Sequence, residues 1–174
     1  MKDADELKTW VRDVPDFPQP GIVFRDITPL LADRARFKRV VDLMCRVWYA
    51  KPPDVVAAIE ARGFIPGAAV AMQLQCGFVP IRKAGKLPWK TVSQGYELEY
   101  GTDQLQIHQD AVSAGQKVLI VDDVLATGGT AAAAVELIRK VGAEVAGVQV
   151  LIELKDLGGR RRLPGIEVVS ELVY

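Results

Sequence analysis

Histidine and cysteine are scarce in this chain: one His, at position 108, and two Cys, at 45 and 76, among 174 residues. Neither cysteine has a Cys or His neighbour at metal-ligand spacing, and both fall within apolar patterns that read as buried thiols in a reducing compartment. His108 has no obvious partner in the sequence and reads as structural or surface. A charge excess is missing too, since 22 Lys and Arg balance 22 Asp and Glu. That gives no ground for a nucleic-acid or membrane partner and makes any cationic site local. No apolar run approaches the length of a membrane span, and the opening MKDADELKTW is too acidic and polar for a signal peptide. A soluble, cytoplasmic protein is expected. Internal repeats are absent, and the nearest thing to a biased segment is Gly158-Gly159-Arg160-Arg161-Arg162.

What is present is a succession of short β-branched runs with helical stretches between them. Residues 3–12 read as one short helix with Leu7, Trp10 and Val11 on a face. The proline-rich VPDFPQPGIVF excludes regular helix and reads as an arm or cover. Asp33 is placed to cap a helix carrying Phe37, Val40, Val41, Met44, Val47 and Trp48 at helical spacing. Strands are expected at 55–59, 78–81 and 118–121, in GAEVAGVQVLIEL and in IEVVSELV, with helices from Pro66 to Gln75 and from Thr130 onward. The alternation implies an α/β fold: a mainly parallel central sheet flanked by helices. At 174 residues the chain fits one domain. The segment TVSQGYELEYGTDQLQIHQDAV alternates as two extended arms meeting near Tyr100-Gly101, a projecting hairpin or mobile flap within residues 82–108.

The stretch with the most chemistry is VLIVDDVLATGGT, residues 118–130. A buried strand ends in Asp122 and Asp123, then a loop opens a helix. Gly128 and Gly129 allow close backbone approach, and the hydroxyls of Thr127 and Thr130 sit beside the unpaired N–H groups of a helix start. That combination suits a phosphate. The two carboxylates would repel a phosphate touching them and instead suit hydroxyls or a metal, so ribose 5-phosphate satisfies both halves. With no lysine after the glycines the loop is not a Walker A, and G-x-G-x-x-G is absent.

Three further groups stand near strand ends or on the hairpin. Glu60-Ala61-Arg62-Gly63 is either an ordinary ion pair between Glu60 and Arg62 or a diphosphate grip of guanidinium and backbone N–H. Arg82, Lys83, Lys86 and Lys90 form the densest positive cluster, either a solvated loop or the cations that meet a departing diphosphate together with Mg2+. Lys83 and Lys86 suit that role best, and Lys90 can be plain surface. Glu97 and Glu99 share a face of the hairpin, where a glutamate in a dry pocket would handle a purine ring proton.

FPQPGIVFRDITPLL, EARGF, IRKAGKLP, YELEYG and VDDVLATGGT occur in this order. Together they resemble the adenine-using branch of the type I phosphoribosyltransferases. The resemblance implies a parallel-sheet core with an N-terminal hood within residues 1–32, a homodimer, and transfer of 5-phosphoribosyl from phosphoribosyl pyrophosphate (PRPP) to adenine, giving AMP and diphosphate. It implies adenine contacts around Val23, Phe24 and Arg25, and diphosphate contacts from Arg62, Lys83 and Lys86, with Arg82 beside them. Asp122, Asp123, Ala126, Thr127, Gly128, Gly129 and Thr130 would take ribose and 5′-phosphate, and Glu99 is the flap acid. Catalytic weight falls on Glu99, Arg62 and Lys83. Direct metal ligation by a side chain is not expected; Asp122 and Asp123 could engage a cation through water or ribose. Ala61 stands where serine or threonine is often found, which removes one hydrogen bond. Two rivals stay open: a hypoxanthine, guanine or xanthine transferase, and a ligand-sensing regulator that binds nucleic acid through a patch such as Arg160–Arg162.

Overall fold

In the computed structural model, which describes residues 2–97 and 102–174, nine strands and five α-helices are seen among the described residues. A two-stranded antiparallel sheet pairs β1 (Arg12–Pro15) with β2 (Val23–Asp26). The main sheet holds β3 (Val55–Ile59), β4 (Gly77–Lys83), β5 (Thr91–Glu97), β6 (Thr102–His108), β7 (Lys117–Leu125), β8 (Glu144–Glu153) and β9 (Val168–Val173) in the order β5-β6-β4-β3-β7-β8-β9. The five strands from β4 to β9 across the centre run parallel, while β5 and β6 form an antiparallel hairpin at one edge.

Strand alternation explains the two-sided core. Val55, Ala57 and Ile59 of β3 and Val118 and Ile120 of β7 pack with α5 (Gly129–Lys140). Val56, Leu119 and Val121 pack in a second cluster with α3 (Arg34–Cys45) and with Val70 and Ala71 of α4 (Phe64–Leu74). Strands covered on both faces read as unbroken apolar runs, as VVAAI and VLIV do. Truncating fully buried Ile120 to Ala would cost about 2–5 kcal/mol. The Asp33 cap is present, its carboxylate accepting from Arg36 N at 2.9 Å.

Two expectations need correction. The first helix, α1, covers only Lys2–Lys8, and residues from Arg12 leave it to pair with β2. Leu7 and Val11 are buried as expected, but Trp10 turns outward beneath the Arg36 guanidinium, 3.2 Å from the ring centroid. The strand at 118–121 runs on to Leu125, because β8 continues alongside it with Asp122 opposite Val150 and Leu125 opposite Glu153. Asp122 is therefore fixed in the ladder, and Asp123 lies between two registered positions. The short α2 (Thr28–Ala32) links β2 to α3.

Candidate active site

Two hollows meet at the carboxyl ends of β3 and β7. The smaller, about 130 Å³, is lined by Asp122 and residues 124–131. Its floor is the start of α5. Gly128 has φ +83°, and a Cβ on it would lie 2.3 Å from the carbonyl oxygen of Gly159, so both backbone conformation and space demand glycine. The first helical bond across this turn runs from Ala132 N to Gly128 O at 2.9 Å, which leaves the preceding N–H groups free of intrahelical partners. Among the described residues no Lys or Arg lines this recess; its attraction for an anion comes from backbone and hydroxyl groups.

The larger hollow, about 380 Å³, is lined by Glu60, Ala61, Arg62, Lys83, Tyr96, Asp103, Leu105, Asp122, Asp123 and Thr130. Asp122 and Thr130 belong to both hollows. Most of its charges are paired. Arg62 Nε lies 2.9 Å from Asp123 Oδ2, and Lys83 Nζ lies 3.0 Å from Asp103 Oδ2. Tyr96 donates its hydroxyl to the same Asp103 oxygen at 3.3 Å. Arg82 grips Glu60 through two donors, at 2.9 and 3.2 Å, and donates to the Lys86 carbonyl at 2.9 Å.

The Glu60–Arg62 ion pair offered by the sequence does not form. Parallel pairing sets Ile59 opposite Ile81 and brings Arg82 beside Glu60, whose Oε2 also accepts from Lys83 N at 3.0 Å. Arg62 turns instead to Asp123, and its Nη1 is buried without a hydrogen-bond partner among the described residues. A buried guanidinium N–H in that condition is a place for a ligand oxygen.

The electrostatics separate two kinds of carboxylate. Burial, and then the adjacent Asp123, push Asp122 well above the usual carboxylate range. Asp123 is also raised by burial, with Arg62 opposing. Like charges on neighbouring carboxylates disfavour one another, so full ionisation of both is opposed. Glu60 and Asp103 are shifted the other way, by hydrogen bonds from Arg82 and from Lys83.

The N-terminal sheet reaches the same place. The Arg62 guanidinium sits 4.4 Å from the Phe24 ring centroid, and Phe17 meets Phe24 edge-on at 5.1 Å. Arg25 faces away from the hollow, over the Tyr174 ring at 4.3 Å and ion-paired with Asp13. Val23 is exposed.

Of the residues singled out in the sequence, Arg62, Lys83, Asp122, Asp123 and Thr130 share the larger hollow, and Ala126, Thr127, Gly128, Gly129 and Thr130 share the recess. Arg82 joins through Glu60, and Phe24 through Arg62. Lys86 contributes through its charge, which helps lower Glu60. Lys90 and His108 lie outside both linings. Glu99, the expected flap acid, lies outside the described residues. Tyr96 and Asp103 were missed. Their signal was the hairpin register, which puts them directly opposite one another.

Known proteins resemble this chain over nearly its whole length. The phosphoribosyl transferase domain family matches residues 30–169. An adenine phosphoribosyltransferase of Thermotoga sp. (strain RQ2) is 59% identical over 169 residues, covering 97% of this chain and 99% of that one. Among solved structures, the adenine phosphoribosyltransferase from Thermoanaerobacter pseudethanolicus superposes with a TM-score of 0.96 at 47% identity, over 98% of this chain and 99% of that one. The Saccharomyces cerevisiae enzyme, solved with an imino-altritol bisphosphate and adenine, superposes at 0.93 with 38% identity, over 98% and 99%.

Proposed function

The chain belongs to the phosphoribosyltransferase family, and on that premise we propose that it transfers the 5-phosphoribosyl group of PRPP to adenine, giving AMP and diphosphate in purine salvage. The observation that carries this is the junction of a glycine-walled recess with an ionic hollow at Asp122 and Thr130. PRPP has a monophosphate at one end, a diphosphate at the other and two hydroxyls between them, which is the order of those surfaces.

In this reading the 5′-phosphate lies in the recess formed by Ala126, Thr127, Gly128, Gly129 and Thr130. Asp122 and Asp123 accept from the ribose hydroxyls, and their negative charge steadies the ribose as its C1′ becomes cationic. Arg62, Arg82, Lys83 and Lys86 receive the diphosphate, so Arg62, Arg82 and Lys83 exchange carboxylate partners for phosphate oxygens. Adenine lies against β2, at Val23, Phe24 and Arg25, and the Phe24 ring already stacked on Arg62 joins base side to diphosphate side. The adenine nitrogen attacks C1′ as the bond to diphosphate breaks, and Glu99 is assigned to the proton that leaves the ring. Arg62 and Lys83 complete the catalytic set.

Adjacent carboxylates that repel one another, Asp123 buried and Asp122 half-buried, fit a divalent cation, held there through water or ribose hydroxyls. Mg2+ bound with the diphosphate would offset its growing charge. The same reading takes the chain as one domain, with a hood within residues 1–32 and a flap within 82–108, and as a cytoplasmic homodimer. No helix among the described residues is long and apolar enough to cross a membrane.

Incubation with PRPP and Mg2+ tests the assignment directly. AMP and diphosphate should appear in equal amounts with adenine and far more slowly as IMP with hypoxanthine. Faster use of hypoxanthine overturns the choice of base, and no diphosphate release with either base overturns the reaction.

A further inference from the structure

The glycine–arginine run that the catalytic reading leaves unused packs behind the phosphate recess. It forms a 3-10 turn, Gly159–Arg162, on the way from β8 to β9. Gly159 is buried, and a Cβ there would lie 2.3 Å from the Ala126 carbonyl oxygen and 3.0 Å from the Gly128 nitrogen. Gly128 meets Gly159 equally closely from the other side. Two backbones touch, with no side chain between them.

Arg160 fixes one of those backbones. Its Nε and Nη2 each donate at 2.6 Å to the two carboxylate oxygens of Glu153. Its Nη1 donates to the Val168 carbonyl at 2.7 Å, and Nη2 also reaches Ser170 Oγ at 2.9 Å. Ser170 Oγ in turn donates to Glu153 Oε2 at 2.6 Å. Glu153 is buried and pairs in register with Leu125, the residue before the loop, while Leu154 N donates to Leu125 O at 2.9 Å. A bidentate arginine fork on a buried carboxylate sets direction as well as distance.

We propose that Arg160 is a positioning residue for the phosphate recess: clamped on Glu153 and Ser170, it presses Gly159 against residues 126–128 and so sets the directions of the N–H groups that meet the 5′-phosphate. This rests on the reading of that recess as the phosphate cradle. A recess without a cation depends on donor direction, and misplacing a binding group by about 1 Å can cost on the order of 100-fold in rate. Arg160 itself touches no substrate.

Steady-state KM values for PRPP and for adenine, measured with thermal midpoints on the same samples, test the clamp. Gly159→Ala and Arg160→Ala should each raise the PRPP KM roughly tenfold while the adenine KM stays within about twofold. Arg160→Lys, which keeps charge but loses the fork, should recover part of the loss, and Arg162→Ala, on an exposed neighbour, should change neither. If Gly159→Ala does not fold, Arg160→Ala and Glu153→Gln carry the comparison. An unchanged PRPP KM in the folded variants, or an equal rise in both KM values, overturns the clamp. Thr127→Val separates the two levels: no effect on the PRPP KM removes the cradle and the clamp with it. A raised KM in Thr127→Val beside normal values in the Arg160 and Gly159 variants removes the clamp alone.

Discussion

The two hollows that meet at Asp122 solve anion binding in opposite ways. The recess at 126–130 is built from backbone, two threonines and two glycines, with no cation in its wall and a second backbone pressed against it. The larger hollow is built from charged side chains, and Arg62, Arg82 and Lys83 each face a carboxylate. The recess is finished before a ligand arrives. The ionic hollow must exchange partners when one does. How easily each pair exchanges follows from its exposure: Lys83 and Asp103 keep 57% and 22% of their side-chain surface, against 35% and 6% for Arg62 and Asp123. An exposed pair is worth about 0–1 kcal/mol, so Lys83 is released cheaply, while Arg62 leaves a buried partner.

The largest expected effect falls where the hollows join. Replacing both Asp122 and Asp123 with Asn should lower kcat by roughly 100-fold or more, as removal of a preorganised electrostatic contact does, with PRPP binding weakened as well. Full turnover at saturating PRPP would show that the carboxylates play no electrostatic part. On the recess side, Gly128→Ala forces a side chain to φ +83° and toward the Gly159 carbonyl. The strain of about 1–2 kcal/mol should appear as a PRPP KM roughly tenfold higher with adenine KM unchanged. A normal PRPP KM would mean that the recess is softer than its packing implies.

The same division governs what could be read from the residues. The recess is local: strand, loop and helix start follow one another within VLIVDDVLATGGT, so composition and spacing were enough to place Ala126 to Thr130 together. The ionic hollow is assembled from β3, β4, β5, β6 and β7, and its pairs follow from register. Parallel pairing, invisible in EARGF alone, gave Glu60 to Arg82 rather than to Arg62. Asp103 and Tyr96 lie seven positions apart and become neighbours only when the hairpin folds in its observed register. The short first helix has a related reason: β2, distant in sequence, takes the backbone from Arg12 onward, and residues 9–11 close the helix in turns that donate to Glu6, Leu7 and Lys8 carbonyls.

Asp103 offers a smaller test within the ionic hollow. Removing its charge frees Lys83 and takes a negative group out of the hollow, so Asp103→Asn should tighten inhibition by magnesium diphosphate about threefold, equivalent to about 0.6 kcal/mol and within the range for a partly exposed pair. The effect should shrink in a Lys83→Ala background, where only the loss of the negative group remains. Weaker inhibition in Asp103→Asn would make Asp103 a support for Lys83 and not its competitor.

The smallest effects are in stability, and their signs set Asp122 against Asp103. Asp122 has a folded pKa raised above its ordinary value of 3.8 by burial and by Asp123, so the folded state holds more protons than the unfolded one above that pH. Its contribution is greatest below the unfolded pKa and is lost as pH rises through the window up to the folded value, at a limit of about 1.4 kcal/mol per pH unit. Asp122→Asn removes this loss. The ligand-free variant's thermal midpoint should therefore gain on the parent as pH rises above about 4, by at most about 3–6 °C per pH unit. Asp103, lowered chiefly by the hydrogen bond from Lys83, contributes above its unfolded pKa and loses that contribution as pH falls through its folded pKa. Asp103→Asn should then show a small deficit at neutral pH that closes in acid, reduced by solvent screening of the exposed lysine. Parallel slopes in the two variants would mean that the carboxylates at the junction and at the rim share one electrostatic environment, and the contrast between a preformed recess and an exchanging ionic hollow would lose its basis.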